Sequence, residues 1–190
     1  DALPICDYAR EVFADVFKTS IPYYIRIDFT AFAEIIDAVG GITINVPNSF
    51  TDTSFPADEI NYKTVHFDAG QQTMSGEQAL IYARSRHGDN NEGSDFARSR
   101  RQELVMLALK EKVLSLGTLA NPAKLEALYR SVTNHLTTNL SFDQILYLAD
   151  LAREIQKPRT IVFDSSPNGF LINSTGENGA FILSPKTGNF

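Results

Sequence analysis

The sequence has very little cysteine and no tryptophan, and Cys6 is its only thiol among 190 residues. A single cysteine cannot form a disulfide within the chain, and it excludes a zinc site built from several thiolates. The apolar runs are only a few residues long, well short of the ~20 residues that a transmembrane helix requires. The formal net charge of −6 argues against a general nucleic-acid-binding protein, because such proteins usually carry a basic face.

Several common functional motifs are also absent. The sequence contains no G-x-S-x-G, no Walker loop and no G-x-G-x-x-G. The three histidines, His66, His87 and His135, lack the spacing of a metal site, which favours structural or solvent-exposed roles for them.

The remaining composition, with 43% apolar and 21% charged residues, is that of an ordinary globular domain. Apolar periodicity and capping residues predict a mixed α/β (α+β) fold, with a central sheet flanked by several helices. Helices are predicted over 5–17, 30–39, 75–82, 96–116, 122–136 and 141–156, and strands over 23–29, 42–46, 159–163 and 181–183. The first helix is predicted to bury one apolar stripe, and Thr30 is the predicted cap of the second. Capping boxes are predicted at Ser75 with Gln78 and at Ser141 with Gln144, and residues 23–46 are predicted to form a compact βαβ or βα-hairpin unit. Residues 47–66 are interpreted as a long surface loop. We expect one domain over 1–190, with a core at roughly 1–164 and a loop-rich tail at 165–190.

An arginine cluster is the most unusual feature of this acidic sequence. Five of its 17 basic residues fall within 18 positions: Arg84, Arg86, Arg98, Arg100 and Arg101. Helical spacing places Arg98, Arg101 and Gln102 on one face, with Asp95 at the N-terminal end of the same side. Arg84 and Arg86 can join them if the intervening loop folds back.

This cluster has two interpretations. Clustered guanidinium groups repel one another unless an anion lies between them, and their planar forks suit phosphate oxygens. A helix N-terminus near Asp95 would add free N–H groups, and Asp95 could pair with an arginine or bind a divalent cation. The alternative is a solvated surface with Asp95 as an ordinary N-cap, and spacing alone favours that alternative.

A set of apolar residues near residues 25–36 also has two interpretations. The simplest is a hydrophobic core, and the alternative is an open slot for a lipid tail. The residues concerned are Ile25, Ile27, Phe32 and Ile36.

Three segments, taken together and in order, resemble the LytR-CpsA-Psr family. They are "YYIRIDFTAFAEIIDAVGGITINVP", "GQQTMSGEQALIYARSR" and "DFARSRRQ", and they span residues 21–105. Residues 106–164 resemble the rest of that domain more loosely. The resemblance implies a magnesium-dependent phosphotransferase of the bacterial envelope, extracytoplasmic and membrane-anchored. Such enzymes move a glycan phosphate from a polyprenyl-pyrophosphate carrier to peptidoglycan.

The implied partners are a polyprenyl-pyrophosphate-linked glycopolymer, a peptidoglycan acceptor and, through an N-terminal anchor, the membrane surface, but no nucleic acid. A non-catalytic module that binds polyprenyl phosphate or an anionic glycan is the alternative function.

The resemblance also assigns individual roles. The residues matching the family's catalytic and pyrophosphate-binding positions are Arg84, Arg86, Asp95, Arg98 and Gln102. Arg101 matches the second arginine of "R-x-x-R-Q" and is predicted to bind substrate. The residues predicted to contact the polyprenyl tail are Ile25, Ile27, Phe32 and Ile36.

One part of the family pattern does not occur in the sequence. The family domain begins with an "R-x-D-T" segment, whose aspartate helps to bind magnesium, and a "P-R-D" segment. Neither is found here. We therefore expect an N-terminally incomplete domain that holds part of an active site and that is inactive alone. The Mg²⁺ ligands are expected to lie partly outside this sequence, with Asp95 as the one candidate within it.

Overall fold

The computed structural model describes residues 3–115, 126, 129–130, 135–155, 164–165 and 167–188. Its helices are α1 (Leu3–Phe17), α2 (Phe29–Ala38), α3 (Gly76–Arg84), α4 (Asp95–Ser115) and α5 (Phe142–Glu154). Its strands are β1 (Ile25–Ile27), β2 (Ile42–Val46), β3 (Phe50–Pro56), β4 (Tyr62–Phe67), β5 (Gly70–Met74), β6 (Leu136–Thr138), β7 (Leu171–Thr175) and β8 (Phe181–Pro185). The predicted helix at 122–136 lies mostly outside the described residues, and the predicted strand at 159–163 lies wholly outside them.

The mixed α/β class is confirmed, although the described strands do not form one central sheet. They pair as four antiparallel ladders, β1 with β6, β2 with β5, β3 with β4, and β7 with β8. The two strands that flank α2 each take a partner far along the chain, so they do not pair with each other. Because such long-range pairings leave no local signal, the sequence pattern suggested a more compact β-α-β unit.

The predicted surface loop at 47–66 is wrong, because this segment is a β-hairpin built from β3 and β4. Phe50 pairs with Phe67 at one end and Pro56 with Tyr62 at the other, and the register shifts between Asp52 and Phe55. Its Asp, Thr and Pro content is typical of loops, but Phe50 and Phe55 are buried. In the predicted loop-rich tail, the short strand expected at 181–183 is confirmed as part of β8, which pairs with β7 in a second hairpin.

The described core lies between α2, α3, α4 and the β2–β5 ladder. Three rings form its centre: Phe50 lies 5.3 Å from Phe67 and 6.0 Å from Tyr82, measured between ring centroids. Helices α2 and α3 approach closely, since a Cβ on Gly76 would lie 2.1 Å from the carbonyl oxygen of Ala33. At the other end of α3, Arg84 lies beside Phe29, the first residue of α2, with its guanidinium carbon 4.3 Å from the ring centroid.

Helix starts follow the side-chain chemistry of their caps. The predicted capping box of Ser75 and Gln78 is confirmed at α3, as is its counterpart at α5. Asp28, rather than Thr30, caps α2 by accepting the Ala31 N–H at 2.8 Å. At α4, the Ser94 hydroxyl accepts the Ala97 N–H at 3.1 Å, which leaves the carboxylate of Asp95 available to other partners.

The predicted buried stripe of α1 is wrong for the described residues. Ile5, Phe13, Val16 and Phe17 are each about half exposed or more. The amphipathic spacing predicted the helix correctly, but spacing does not specify what covers its apolar face. None of the described helices combines the length and the apolar character needed to cross a bilayer.

Candidate functional site

Four of the five predicted catalytic residues line one cavity of about 330 Å³. Its lining consists of Phe29, Asp52, Phe55, Pro56, Arg84, Arg86, His87, Arg98 and Gln102. The loop between α3 and α4 therefore folds back, as the anion-site interpretation required. Arg86 and Arg98 nevertheless stay partly open to solvent, with 54% and 31% of their side-chain surface exposed.

Arg84 is the last residue of α3 and lies against two aromatic rings of the cavity wall. Its guanidinium carbon is 4.3 Å from the centroid of Phe29 and 5.5 Å from that of Phe55. Such contacts fix a planar cation without consuming its hydrogen-bond donors. Among the described residues, no carboxylate forms an ion pair with Arg84, so its donors remain available for an anionic ligand.

Asp95 links the two other cavity arginines from the first turn of α4. Its carboxylate accepts the Arg86 Nε–H at 3.0 Å and lies 3.3 Å from Nη1 of Arg98, one helical turn away. Asp95 does not line the cavity itself. The arrangement orients Arg86 and Arg98 toward the same volume and offsets part of their mutual repulsion.

Asp52 is a functional candidate that sequence reasoning missed. It borders the cavity from the bulged part of β3 and is fully shielded from solvent. Its Oδ2 accepts hydrogen bonds from the Ser85 hydroxyl at 2.5 Å and from the N–H groups of Arg86 and His87 at 3.1 Å each. Its Oδ1 accepts the Ser54 N–H at 2.9 Å.

The ionised form of Asp52 is favoured by these bonds. Burial by itself raises the pKa of this carboxyl, but the hydrogen bonds from Ser85, Ser54, His87 and Arg86 outweigh burial. The pKa therefore lies below its usual value of 3.8. In the sequence, Asp52 stands among serine and threonine residues of the segment interpreted as a surface loop, so no local signal marked it.

The loop at 87–94 is attached along β3. The Thr51 N–H donates to Oδ1 of Asp89 at 2.7 Å, and the Asn90 side chain donates to the Ser49 carbonyl at 2.8 Å. Gly88 packs so closely that a Cβ there would lie 2.7 Å from the Phe50 ring. The loop thus has a defined course next to the cavity, although its composition suggested a variable segment.

Arg101 lies on the other side of α4, in the interior. It is 2% exposed, and its guanidinium donates to the carbonyl of Tyr82, to the carbonyl of Ser85 and to the carboxylate of Glu92 at 2.5 Å. It does not line the arginine cavity, and these contacts give it a structural role. Contact of Arg101 with a ligand stays a prediction that this position does not favour.

The environment of Arg101 also affects Tyr82. Burial is the main cause that raises the pKa of Tyr82 to about 12, with Arg101 lowering it and Glu92 raising it. The phenol is therefore neutral at physiological pH and acts as part of the core. Glu92, 7% exposed, was not singled out from the sequence, where it falls in a polar loop.

A second, more apolar cavity of about 300 Å³ adjoins the first. It is lined by Ile27, Asp28, Phe29, Phe32, Leu80, Ala83, Arg84, Gln102 and Met106, so it shares Phe29, Arg84 and Gln102 with the arginine cavity. Of the four predicted lipid-contacting residues, Ile27 and Phe32 line it. Ile25 does not and is 60% exposed, and Ile36 does not and is fully buried in the core.

The described residues do not provide a complete magnesium site. Within the ranges given above, no group of three or more His, Cys, Asp or Glu side chains is arranged to hold a metal ion. The oxygens of Asp52 are occupied by hydrogen bonds, and Asp95 is engaged by two arginines. The predicted Mg²⁺ therefore has one candidate ligand among the described residues, Asp95.

Sequence comparison finds proteins with this pattern among bacterial cell-wall enzymes. A polyisoprenyl-teichoic acid–peptidoglycan teichoic acid transferase, TagV of Bacillus subtilis, is 30% identical over 145 residues, covering 76% of this chain and 35% of TagV. The cell wall biosynthesis protein LcpA of Corynebacterium glutamicum is 34% identical over 138 residues, covering 73% of this chain and 25% of LcpA. The chain thus spans well under half the length of these curated relatives.

Structural comparison agrees with the sequence comparison. The crystal structure of B. subtilis TagV superposes with a TM-score of 0.69 at 26% identity, covering 95% of this chain and 64% of that one. The family model described as the LytR_cpsA_psr family matches residues 6–179. The sequence comparison, the structural comparison and the family model all identify the same group of proteins. The chain with this arginine-lined cavity therefore belongs to the LytR-CpsA-Psr family.

Proposed function

We propose that this chain forms part of a cell-envelope enzyme that transfers a glycopolymer phosphate from a polyprenyl-pyrophosphate carrier to peptidoglycan. The observation that carries the proposal is the junction of two cavities of different character. One presents Arg84, Arg86 and Arg98, and the other is lined by apolar side chains, and both share Arg84 and Gln102. A prenyl diphosphate has the same division into a charged head and an apolar tail.

The charge of the arginine cavity suits a diphosphate. Its three guanidinium groups exceed the two nearby carboxylates, Asp52 and Asp95, and Asp52 is already satisfied by four hydrogen bonds. Guanidinium groups bind phosphate oxygens through paired N–H donors, and this suits them to a ligand with several anionic oxygens. Gln102 donates to the Ala83 carbonyl at 3.3 Å, which holds its amide at the boundary between the two cavities.

The transfer would proceed by attack of an acceptor sugar hydroxyl on the phosphorus that bears the glycan. The new O–P bond forms as the bond to the bridging oxygen breaks, and polyprenyl phosphate leaves with the bonding electron pair. Arginines aimed at the diphosphate would stabilise the charge that develops on the leaving phosphate. The hydroxyl proton would pass to an acidic residue, either Asp95 or an aspartate of the family segments that this sequence does not contain.

The remaining expectations follow from the same proposal. TagV is named as acting on polyisoprenyl-linked teichoic acid and peptidoglycan, which supports a related glycopolymer donor and a peptidoglycan acceptor for this chain. An extracytoplasmic location at the membrane would place the site next to a lipid-linked donor. Mg²⁺, if used, would neutralise further charge on the diphosphate, with ligands that the described residues do not supply.

Binding of geranylgeranyl diphosphate by isothermal titration calorimetry tests the proposal. The wild-type chain is expected to bind this diphosphate much more tightly than geranylgeraniol, which has the same tail and no charge. Arg98→Ala is expected to remove most of that preference. Arg100→Ala is the matched control, since Arg100 is an exposed arginine of α4 outside the cavity lining.

Two outcomes would contradict or redirect the proposal. Equal affinity for diphosphate and alcohol would contradict the diphosphate site. Tight binding without release of prenyl phosphate, measured by mass spectrometry on a longer protein that includes the missing family segments, would favour the non-catalytic binding module.

A further inference from the structure

We propose that Asp52 is a positioning residue that holds the backbone of residues 85–87 in the conformation that presents the cavity arginines. The inference rests on the proposed function, because it concerns how the same site is prepared for a diphosphate. Asp52 belongs to β3 and lies 33 residues before Ser85 in the sequence. Its action is therefore a tertiary contact rather than part of the arginine motif.

The geometry concentrates three donors of one short segment on a single oxygen. Oδ2 of Asp52 receives the hydroxyl of Ser85 and the consecutive N–H groups of Arg86 and His87. Consecutive N–H groups can reach one acceptor only if the backbone turns so that both point to the same side. Arg86 and His87 both line the cavity, so their side chains leave this turn toward the ligand volume.

The turn also begins immediately after Arg84. The Ser85 N–H completes α3 by donating to the Ile81 carbonyl at 3.0 Å, while the Ser85 hydroxyl donates to Asp52. Ser85 is fully buried. The end of α3 and the start of the extended segment are therefore fixed at one residue, which lies between the two arginines.

Asp52 is poorly suited to act as the base of the reaction. Its two oxygens accept four hydrogen bonds, and its side chain is fully shielded from solvent. Three of these bonds fall on Oδ2, and Oδ1, which accepts the fourth, is shielded from solvent. What this carboxylate can do is fix the donors around it, because a buried carboxylate without them would be strongly unfavourable.

A role confined to fold stability is the competing explanation, and it predicts different binding behaviour. General destabilisation weakens binding of the charged head and the apolar tail together. Loss of positioning weakens only the interaction with the diphosphate, because Asp52 does not line the apolar cavity. The two ligands, geranylgeranyl diphosphate and geranylgeraniol, therefore separate the explanations.

The experiment compares Asp52→Asn, Ser85→Ala and the control Asp58→Ala in the full chain. Asn keeps the shape of the side chain, but the NH₂ that replaces one carboxylate oxygen cannot accept a hydrogen bond, so the donors facing that position lose their acceptor. Asp58 is in the same hairpin, where its carboxylate accepts the N–H groups of Ile60 and Asn61, and it is outside the cavity lining. Its replacement disturbs the β3–β4 turn without touching the arginine segment.

We expect Asp52→Asn to weaken geranylgeranyl diphosphate binding about tenfold or more, with geranylgeraniol binding unchanged. Ser85→Ala, which removes one of the three donors, is expected to give a smaller loss of about threefold in diphosphate affinity. In ¹⁵N NMR spectra, the amide signals of Arg86 and His87 should move in both variants. Asp58→Ala should leave both affinities within about twofold, whatever its effect on melting temperature.

Wild-type affinity of Asp52→Asn and Ser85→Ala for the diphosphate would overturn the inference. So would an equal loss of affinity for both ligands, or an equal loss in Asp58→Ala. If Asp52→Asn does not fold, Ser85→Ala decides the question alone. Failure of the wild-type chain to prefer the diphosphate is a separate result, which would overturn the proposed function and the inference with it.

Discussion

Arg98 and Arg101 are three residues apart on α4, yet their surroundings are opposite. Arg98 lines an open cavity beside Arg84 and Arg86 and shares the carboxylate of Asp95. Arg101 is enclosed, with Glu92 as its counterion and backbone carbonyls around the rest of its guanidinium. Residue type and helical spacing therefore do not determine whether an arginine of this motif faces a ligand.

The difference between Arg98 and Arg101 indicates that one arginine supports the structure of the site, while the other faces the volume in which a ligand would bind. Arg101 joins the end of α3, the loop at 87–94 and the core rings, since its guanidinium carbon lies 4.9 Å from the centroid of Phe50. From the interior, Arg101 thus holds the backbone segment that carries Arg84 and Arg86 on its outer face. We expect changes to the inner arginine to act on stability and changes to the outer arginines to act on ligand affinity.

The largest effect is expected for Arg101→Met, which leaves Glu92 buried without a counterion. Removing one partner of a buried ion pair costs about 3–5 kcal/mol in the free energy of unfolding. Urea denaturation followed by circular dichroism measures this cost. The double variant Arg101→Met/Glu92→Met is expected to recover much of the stability, and a single variant within about 1 kcal/mol of wild type would contradict the structural role.

Arg98→Ala is expected to lower ligand affinity and to leave stability nearly unchanged. Loss of one charge-assisted hydrogen-bonding group should weaken geranylgeranyl diphosphate about tenfold to a hundredfold. The melting temperature should change little, because Arg98 is partly exposed and its partner Asp95 retains Arg86. Calorimetric titration measures the affinity, and a thermal scan on the same sample measures the melting temperature. A large fall in melting temperature with unchanged affinity would show that Arg98 has a structural role and not a binding role.

Replacement of Asp52 is expected to have an intermediate effect on the free energy of unfolding, and the size of that effect should depend on pH. Because its folded-state pKa is lowered, its carboxylate contributes stability above the unfolded-state pKa of about 3.9, and that contribution is lost as the pH falls through the folded-state value. Asp52→Asn should therefore cost about 1–3 kcal/mol at pH 7, with a smaller difference from wild type below pH ~4. Denaturation curves at several pH values measure the difference in the free energy of unfolding between wild type and Asp52→Asn. A difference that does not change with pH would contradict an ionised, hydrogen-bonded Asp52.

The smallest effect is expected for Arg100→Ala. Arg100 is exposed and lies outside the arginine cavity, so the free energy of unfolding should stay within about 0.5 kcal/mol of wild type. Diphosphate affinity should also be retained, as calorimetry can establish. A loss of affinity as large as that of Arg98→Ala would show that long-range charge, and not the cavity, attracts the ligand.

The sequence was sufficient for features that depend on local chemistry. Both capping boxes, the helices α1 and α4 and the gathering of Arg84, Arg86, Arg98 and Gln102 were predicted, the last through the family pattern. It was insufficient where tertiary contacts decide. Asp52 looked like a loop residue because its partners lie far along the chain, and Arg101 was grouped with Arg98 because helical spacing cannot distinguish a buried flank from an open one.

A crystal structure of the chain with geranylgeranyl diphosphate would show directly which arginines bind the ligand. We expect phosphate oxygens within hydrogen-bonding distance of Arg84, Arg86 and Arg98, with the prenyl chain running along Ile27 and Phe32. Arg101 should keep its bond to Glu92 in that complex. A diphosphate bound on the Arg100 side of α4, or an Arg101 that leaves Glu92 to contact phosphate, would rule out the arginine cavity as the diphosphate site.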